Sequence, residues 1–269
     1  MHVVCGRGLH GGGVSRVTLT RAEQPHRAVR VRTAKGECDV DELRLVSAEL
    51  ASTVSDARGD VRLRTVEHLF AALAAFGVRS GLVIDLEGDE LPLLDGGAAE
   101  WCAALTQMSL PASAPMLRVA CDGVIEIGDS VYRFARGDRV HVSVAIDFGD
   151  ARLSRDASWD GDAGDFRERV APARTFAMER DLDDIARRGL ASHVAPESVV
   201  LIAKDQVLSA GAPFTADEPA RHKLLDLIGD LYLYGGPPIG EVHATRPGHA
   251  ATHEAVRRAR EGGMFTSSV

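Results

Sequence analysis

The sequence predicts an α+β protein built from two similar halves, each a β-sheet with two helices. Three observations carry this. Short stretches in both halves alternate apolar and polar residues at period two, as half-exposed strands do. Each half also holds an apolar segment with helical spacing that starts near a histidine, Glu67-His68 in the first and His222-Lys223 in the second. After each come a strand-like run, a glycine-containing loop and a last helical segment, so the chain reads as a weak internal repeat. Packing the halves together would bring the two His-bearing helix starts to one interface.

With 269 residues, 45% of them hydrophobic, the chain can bury a substantial core. A formal charge of −8, from 31 basic and 39 acidic residues, and the lack of a basic run argue against a nucleic-acid surface. A phosphorylated small molecule, which needs only one or two local cations, stays open. The start, MHVVCGRGLHGGG, lacks the pattern of a secretory signal, and the longest apolar run, Leu69 to Val78, is too short to span a bilayer. The expected protein has no integral membrane segment, works in the cytoplasm and is a monomer. Cys5, Cys38, Cys102 and Cys121 are scattered without C-x-x-C spacing and read as free thiols.

In chain order, GLHGGG (8–13) is a loop, and a lone His10 there is ordinarily just polar loop chemistry. Arg16–Thr20 and Ala28–Thr33 are expected strands. Thr65 is a good N-cap for an apolar helix ended by Gly77, which puts Glu67 and His68 in the first turn. Ser80–Leu86 reads as a strand and Ala98–Met108 as a helix. Pro111–Pro115 (PASAP) is the expected boundary between domains 1–112 and 113–269. Beyond it, LRVACDGVIEIG, SVYRFAR and RVHVSVAIDFG suggest a meander, Asp160–Asp165 a loop, ERDLDDIARRG a charged helix ended by Gly189, and ESVVLIAK a buried strand. IGEVHAT is a strand, followed by a loop holding Pro247, Gly248 and His249 and by a final amphipathic helix.

The most informative stretch is ARHKLLDLIGDLYLYG (220–235). On a helix His222, Asp226 and Asp230 share one face, while the surrounding leucines and Ile228 make the helix apolar enough to bury. Unpaired buried carboxylates are costly, and a metal ion accepting imidazole and carboxylate together would resolve that. An ordinary charged face on a solvated helix has the same spacing and competes with this reading. His68, His222 and Asp226 would give a catalytic zinc site its three protein ligands, with the fourth position left for water. Glu67 would then be placed for general-base work, against the plainer role of a first-turn carboxylate favouring the helix dipole. Asp230 is placed to orient a neighbouring histidine.

TVEHLFAALAAFG, LPLLDGGAAEW, ARTF, RHKLLDLIGDLYL and PGHA, in this order and after GRGLHGGG, resemble the UDP-3-O-acyl-N-acetylglucosamine deacetylases, zinc amidases of lipid A synthesis. The resemblance spans nearly the whole chain. It implies two domains whose helical layers pack together between the sheets, a β-α-α-β sandwich, with an inserted subdomain at about 178–214. By motif position, His68, His222 and Asp226 match the zinc ligands, a set iron(II) can also occupy. Glu67 matches the general base. Thr175 matches a hydroxyl that helps zinc hold the oxyanion. His249, oriented by Asp230, matches the cationic histidine that supports the oxyanion and protonates the leaving amine. Lys223 would lie beside the zinc site instead of being a solvated helix lysine. Phe176, His10 and Arg246 match positions that contact substrate, Arg246 towards its diphosphate.

The implied reaction is hydrolysis of the N-acetyl group of a UDP-linked acylated amino sugar, giving the free amine and acetate. The departures from the pattern are Ala177 and Met178 after ARTF, the His193-Val194-Ala195 stretch, and Arg246-Pro247 before the PGHA histidine. The altered segment motivates one alternative, a zinc amidase for another N-acetylated sugar or nucleotide sugar; a non-catalytic binding paralogue is the other, a class that ordinarily loses a ligand or the base first, whereas every such position is filled here.

Overall fold

A computed structural model describes residues 1–187 and 193–268. The first half builds a five-stranded sheet from β1 (His2–Arg7), β2 (Val14–Arg21), β3 (Arg30–Thr33), β4 (Gly36–Asp39) and β8 (Leu82–Glu87). A smaller sheet of β5 (Arg44–Ser47), β6 (Thr53–Ser55) and β7 (Arg62–Arg64) is inserted before helix α1 (Glu67–Ala75), and α2 (Ala99–Thr106) follows β8.

In the second half the main sheet holds β10 (Gly123–Ile127), β11 (Ser130–Ala135), β12 (Val140–Ala145), β13 (Asp156–Trp159) and β17 (Gly240–Thr245). Its helices are α3 (Ala163–Asp165), continued by a π-helical turn at Phe166–Val170, α4 (Leu182–Arg187), α5 (Glu218–Tyr232) and α6 (His249–Glu261). A three-stranded sheet of β14 (Thr175–Met178), β15 (Val199–Ile202) and β16 (Val207–Ser209) is inserted before α5, and β9 (Leu117–Val119) pairs with β18 (Phe265–Ser267).

The two main sheets share one topology. The first runs β1-β2-β8-β3-β4 and the second β10-β11-β17-β12-β13. In each, the strand that follows the buried helix enters the middle, antiparallel to one neighbour and parallel to the other. The repeat expected from sequence is therefore real at the level of strand order.

Helices α1 and α5 pack against each other, and both belong to one core cluster that reaches Val17, Leu19 and Ile84 of the first sheet and Tyr132, Val142 and Val242 of the second. Sheets on both sides explain why α1 is buried along almost its whole length, from Glu67 to Leu73. A helix covered all round has no solvent face to make polar.

Four local expectations change. The second sheet is no simple meander, because β17 inserts between β11 and β12. Thr65 does not cap α1: the N-cap is Val66, and the Thr65 hydroxyl instead donates to Glu90 Oε1 at 2.6 Å from a backbone with φ of 57°. The Asp160–Asp165 stretch turns helical at Ala163, with Asp162 accepting the Asp165 amide. His249 is the first residue of α6, not part of the loop before it. The expected helix end at Gly189 lies outside the described residues. All four cysteines are free thiols, and no described helix is long and apolar enough to cross a membrane.

Candidate active site

The site forms where the start of α1 meets the middle of α5 and the start of α6. His68 comes from α1, His222 and Asp226 from successive turns of α5, and all three are buried, with ligand atoms within 4.8 Å of one another. Asp226 Oδ1 lies 3.6 Å from His222 Nε2 and 3.8 Å from His68 Nε2, too far for hydrogen bonds. It is a buried oxygen without a hydrogen-bond partner, which a folded protein normally avoids. Ligands about 2.0–2.1 Å from a tetrahedral ion stand roughly 3.4 Å apart, close to these separations. His222 Nδ1 lies 3.0 Å from the Ala173 carbonyl, an arrangement that places the proton on Nδ1 and leaves Nε2 with its lone pair facing Asp226. The donor set and the orphaned oxygen fit a divalent cation.

Electrostatics support the same protonation pattern. Burial, reinforced by His222, pushes His68 down to about 3, so it stays neutral. Burial also lowers His222, against the pull of Asp226. Burial by itself would raise Asp226, but Lys223 and the surrounding histidines hold it well below the ordinary carboxylate range. Lys223 Nζ donates to the other Asp226 oxygen, Oδ2, at 2.8 Å.

Beside this set lie Glu67 and His249. Glu67 is 3% exposed and burial pushes its carboxyl up to about 7, with His249 opposing the shift. His249 Nδ1 is 2.8 Å from Asp230 Oδ2, and its Nε2 is 3.7 Å from Glu67 Oε1 and 3.9 Å from Asp226 Oδ2. Burial disfavours the imidazolium, but Asp230, Glu67 and Asp226 outweigh it and raise His249 to about 10. The pocket thus pairs a carboxylate that can take a proton near neutrality with an imidazolium that can give one.

The remaining expected residues lie at differing distances from this centre. The Phe176 ring packs edge-on against His222 with centroids 6.1 Å apart, and Lys223 Nζ lies 5.9 Å from that ring. Thr175 opens β14, two residues after the carbonyl that orients His222, with its amide bonded to Gly96. His10 is held through its backbone amide by Glu90, and its buried Nε2 has no hydrogen-bond partner. Arg246 is turned to the surface and paired with Asp147 at 2.8 Å, so it is not drawn into the buried cluster.

Sequence reasoning missed Ser52, His253 and Tyr234, which form a hydrogen-bonded chain behind Asp230. His253 stands four residues after His249 on α6, so helical spacing was a usable signal for it. Ser52 sits before a three-residue strand and has no local signature.

Residues 2–260 match the sequence model of the family described as UDP-3-O-acyl N-acetylglycosamine deacetylase. The chain is 34% identical to the UDP-3-O-acyl-N-acetylglucosamine deacetylase of Myxococcus xanthus, covering 94% of this chain and 82% of the relative. It is 33% identical to the enzyme of that name from Anaeromyxobacter dehalogenans, covering 94% and 83%. Against the one from Pseudomonas entomophila the identity is 31%, covering 94% and 86%.

Proposed function

The chain belongs to the UDP-3-O-acyl-N-acetylglycosamine deacetylase family, and from that premise we propose that it is a zinc-dependent amide hydrolase that removes the N-acetyl group of UDP-3-O-acyl-N-acetylglucosamine, releasing the free amine and acetate in lipid A synthesis. The observation that carries this is the buried His68, His222 and Asp226 set with its partnerless Asp226 oxygen, flanked by Glu67 and His249. These three side chains would hold the ion, zinc by preference and iron(II) as a substitute. Zinc, when bound, supplies a Lewis acid that polarises the amide carbonyl and makes water easier to ionise.

The protein groups then divide the proton work. Ionised Glu67 takes a proton from the attacking water. Protonated His249, held at Nδ1 by Asp230, stabilises the developing oxyanion and gives its Nε2 proton to the leaving nitrogen. The Thr175 hydroxyl adds a donor to the oxyanion. Lys223, through its bond to Asp226, brings a cation towards the substrate, and Phe176 walls the approach to His222. His10 lies at the rim, and Arg246 meets the diphosphate after exchanging Asp147 for it.

This reading takes 1–112 and 113–269 as the two domains, a division supported by the shared strand order. The inserted subdomain beside the acyl chain spans about 178–214, a reading supported by a second apolar cluster in which Met178, Val200 and Ile202 pack with Leu153 and with Phe148, Phe176, Val207 and Phe214. We assign the enzyme to the cytoplasm, as a monomer.

A second reading keeps the chemistry and changes the substrate to another N-acetylated nucleotide sugar. One observation favours it: the altered segment lies on the glycine-rich loop, with the His193 ring so close to Gly12 that a side chain there would overlap it.

The test is mass-spectrometric turnover of UDP-3-O-acyl-N-acetylglucosamine by the zinc-loaded protein, beside its unacylated counterpart and with Asp226→Ala as control. Loss of one acetyl group from the acylated substrate, absent in the control, is the expected result. Turnover of the unacylated sugar alone favours the second reading, and no turnover of either despite stoichiometric zinc overturns both.

A further inference from the structure

Ser52 is 1% exposed and lies on the connection into β6, far in sequence from α5 and α6. Each of its polar groups is spent on the site. Its amide donates to Glu67 Oε2 at 3.0 Å, and its carbonyl accepts the amide of Val66, the N-cap of α1, at 3.3 Å. Its hydroxyl donates to Asp230 Oδ1 at 2.6 Å. A serine hydroxyl has one hydrogen. With that hydrogen on Asp230, the 2.8 Å contact between Ser52 Oγ and His253 Nε2 has the imidazole as donor. His253 Nε2 also lies 3.2 Å from Asp230 Oδ1, and its Nδ1 is 2.9 Å from the Tyr234 hydroxyl.

The consequence concerns His249. Of the carboxylates around its ring, Asp230 lies nearest Nδ1 and Glu67 nearest Nε2. Each of these two turns one oxygen to His249 and gives the other to Ser52. We propose that Ser52, braced by His253 and Tyr234, is the positioning residue that sets the directions of Glu67 and Asp230 together, and through them the orientation of His249. The inference rests on the deacetylase reading above, and it adds residues that touch no substrate to the machinery of that reaction.

The arrangement gives the brace a defined chemistry. A carboxylate that accepts from one side only can swing about its Cβ–Cγ bond. The Ser52 hydroxyl on Oδ1, itself held by the His253 N–H, keeps Asp230 turned so that Oδ2 retains its bond to His249. Proton transfer depends steeply on that geometry, whereas ground-state binding of the sugar and the nucleotide does not involve it. The expected signature is therefore a loss in kcat with KM preserved.

The experiment compares steady-state kinetics, bound zinc and thermal unfolding for wild type, Ser52→Ala, His253→Gln and His253→Leu, all zinc-loaded. Ser52→Ala removes the hydroxyl and keeps the amide bond to Glu67. It is expected to lower kcat about tenfold, with KM within about twofold and zinc content unchanged. His253→Gln keeps an N–H donor for Ser52 and should stay within about threefold of wild-type kcat, while His253→Leu should fall about tenfold. A poorly folded Ser52→Ala would leave the comparison of the two His253 variants to decide. Wild-type kcat in Ser52→Ala and His253→Leu, or equal losses in the Gln and Leu variants that follow their unfolding temperatures, would overturn the proposal. Failure of the wild type itself to deacetylate would instead overturn the reading on which it rests.

Discussion

Gly229 of α5 lies directly against the Glu67 carbonyl of α1: a Cβ added at Gly229 would stand 2.0 Å from Glu67 O and 2.8 Å from its carbonyl carbon. The two helices that carry the proposed metal ligands therefore meet backbone to backbone. Glycine in a helix interior normally costs about 0.5–1 kcal/mol relative to alanine. Here the sign reverses, because the obstacle is main chain and cannot rotate away. Gly229→Ala is expected to lower unfolding stability by about 1–3 kcal/mol. It should also weaken zinc binding, since His68 moves relative to His222 and Asp226. Urea unfolding and a zinc titration check both, and a variant more stable than wild type would mean that the helices can part at no cost.

Metal binding and turnover should separate by residue. Asp226→Ala deletes a ligand and leaves Lys223 without its 2.8 Å partner, so zinc per chain should fall well below one after dialysis. Glu67→Ala leaves the three ligands intact and should keep the metal while kcat drops about 10²–10⁴-fold. Chelation of the wild type should abolish turnover, and added zinc should restore it. Metal analysis beside initial rates reads all three, and near-normal turnover in Glu67→Ala would remove the base from its assigned role.

The pH profile follows from the two proton carriers. Glu67, raised to about 7 by burial, must be ionised, so kcat/KM rises as pH passes its pKa. His249, raised to about 10 by Asp230, Glu67 and Asp226 against its burial, must be protonated, so activity is lost as pH passes above it. A bound dication favours the ionised carboxylate and disfavours the imidazolium, which moves both limbs below those values. Asp230→Asn removes a negative charge that raises His249, so the alkaline limb should shift to lower pH. The acid limb should shift less, because Asp230 bonds His249 and touches Glu67 only through the field. An alkaline limb that stays in place in Asp230→Asn would detach it from His249.

The sequence exposed what is written in short spacings. His222, Asp226 and Asp230 recur at one helical face, Glu67-His68 starts an apolar helix, and the halves echo each other, so the pairing of α1 with α5 was legible. What depends on long-range registry was not. β17 enters its sheet between β11 and β12 from about a hundred residues away, and alternation marks a strand without naming its neighbours. Thr65 looked like a cap because its residue type favours caps, yet tertiary contact with Glu90 took its hydroxyl. Ser52 carries no pattern at all, and only the folded chain brings it to Asp230.

A last relation ties the inserted sheet to the proposed metal site. Arg174 and Glu218 are 5% and 4% exposed, and the guanidinium grips both carboxylate oxygens, Nε to Oε1 at 2.8 Å and Nη2 to Oε2 at 3.1 Å. The same guanidinium reaches the carbonyls of Ala210 and Ala212 at 2.9 and 3.1 Å. Arg174 follows the Ala173 carbonyl that orients His222 and precedes Thr175. Breaking a buried pair leaves an uncompensated charge, so Arg174→Met should cost about 3–5 kcal/mol, and Arg174→Lys should lose the two-pronged grip as well. Arg174→Met with Glu218→Met should cost clearly less than the two single losses added, because neither charge is then stranded. His222 should lose orientation in Arg174→Met, which weakens zinc even in the fraction that stays folded. A double-mutant cycle by urea unfolding, with zinc affinity measured on the folded variants, tests both halves; additive losses would show that the ion pair does not act as a unit.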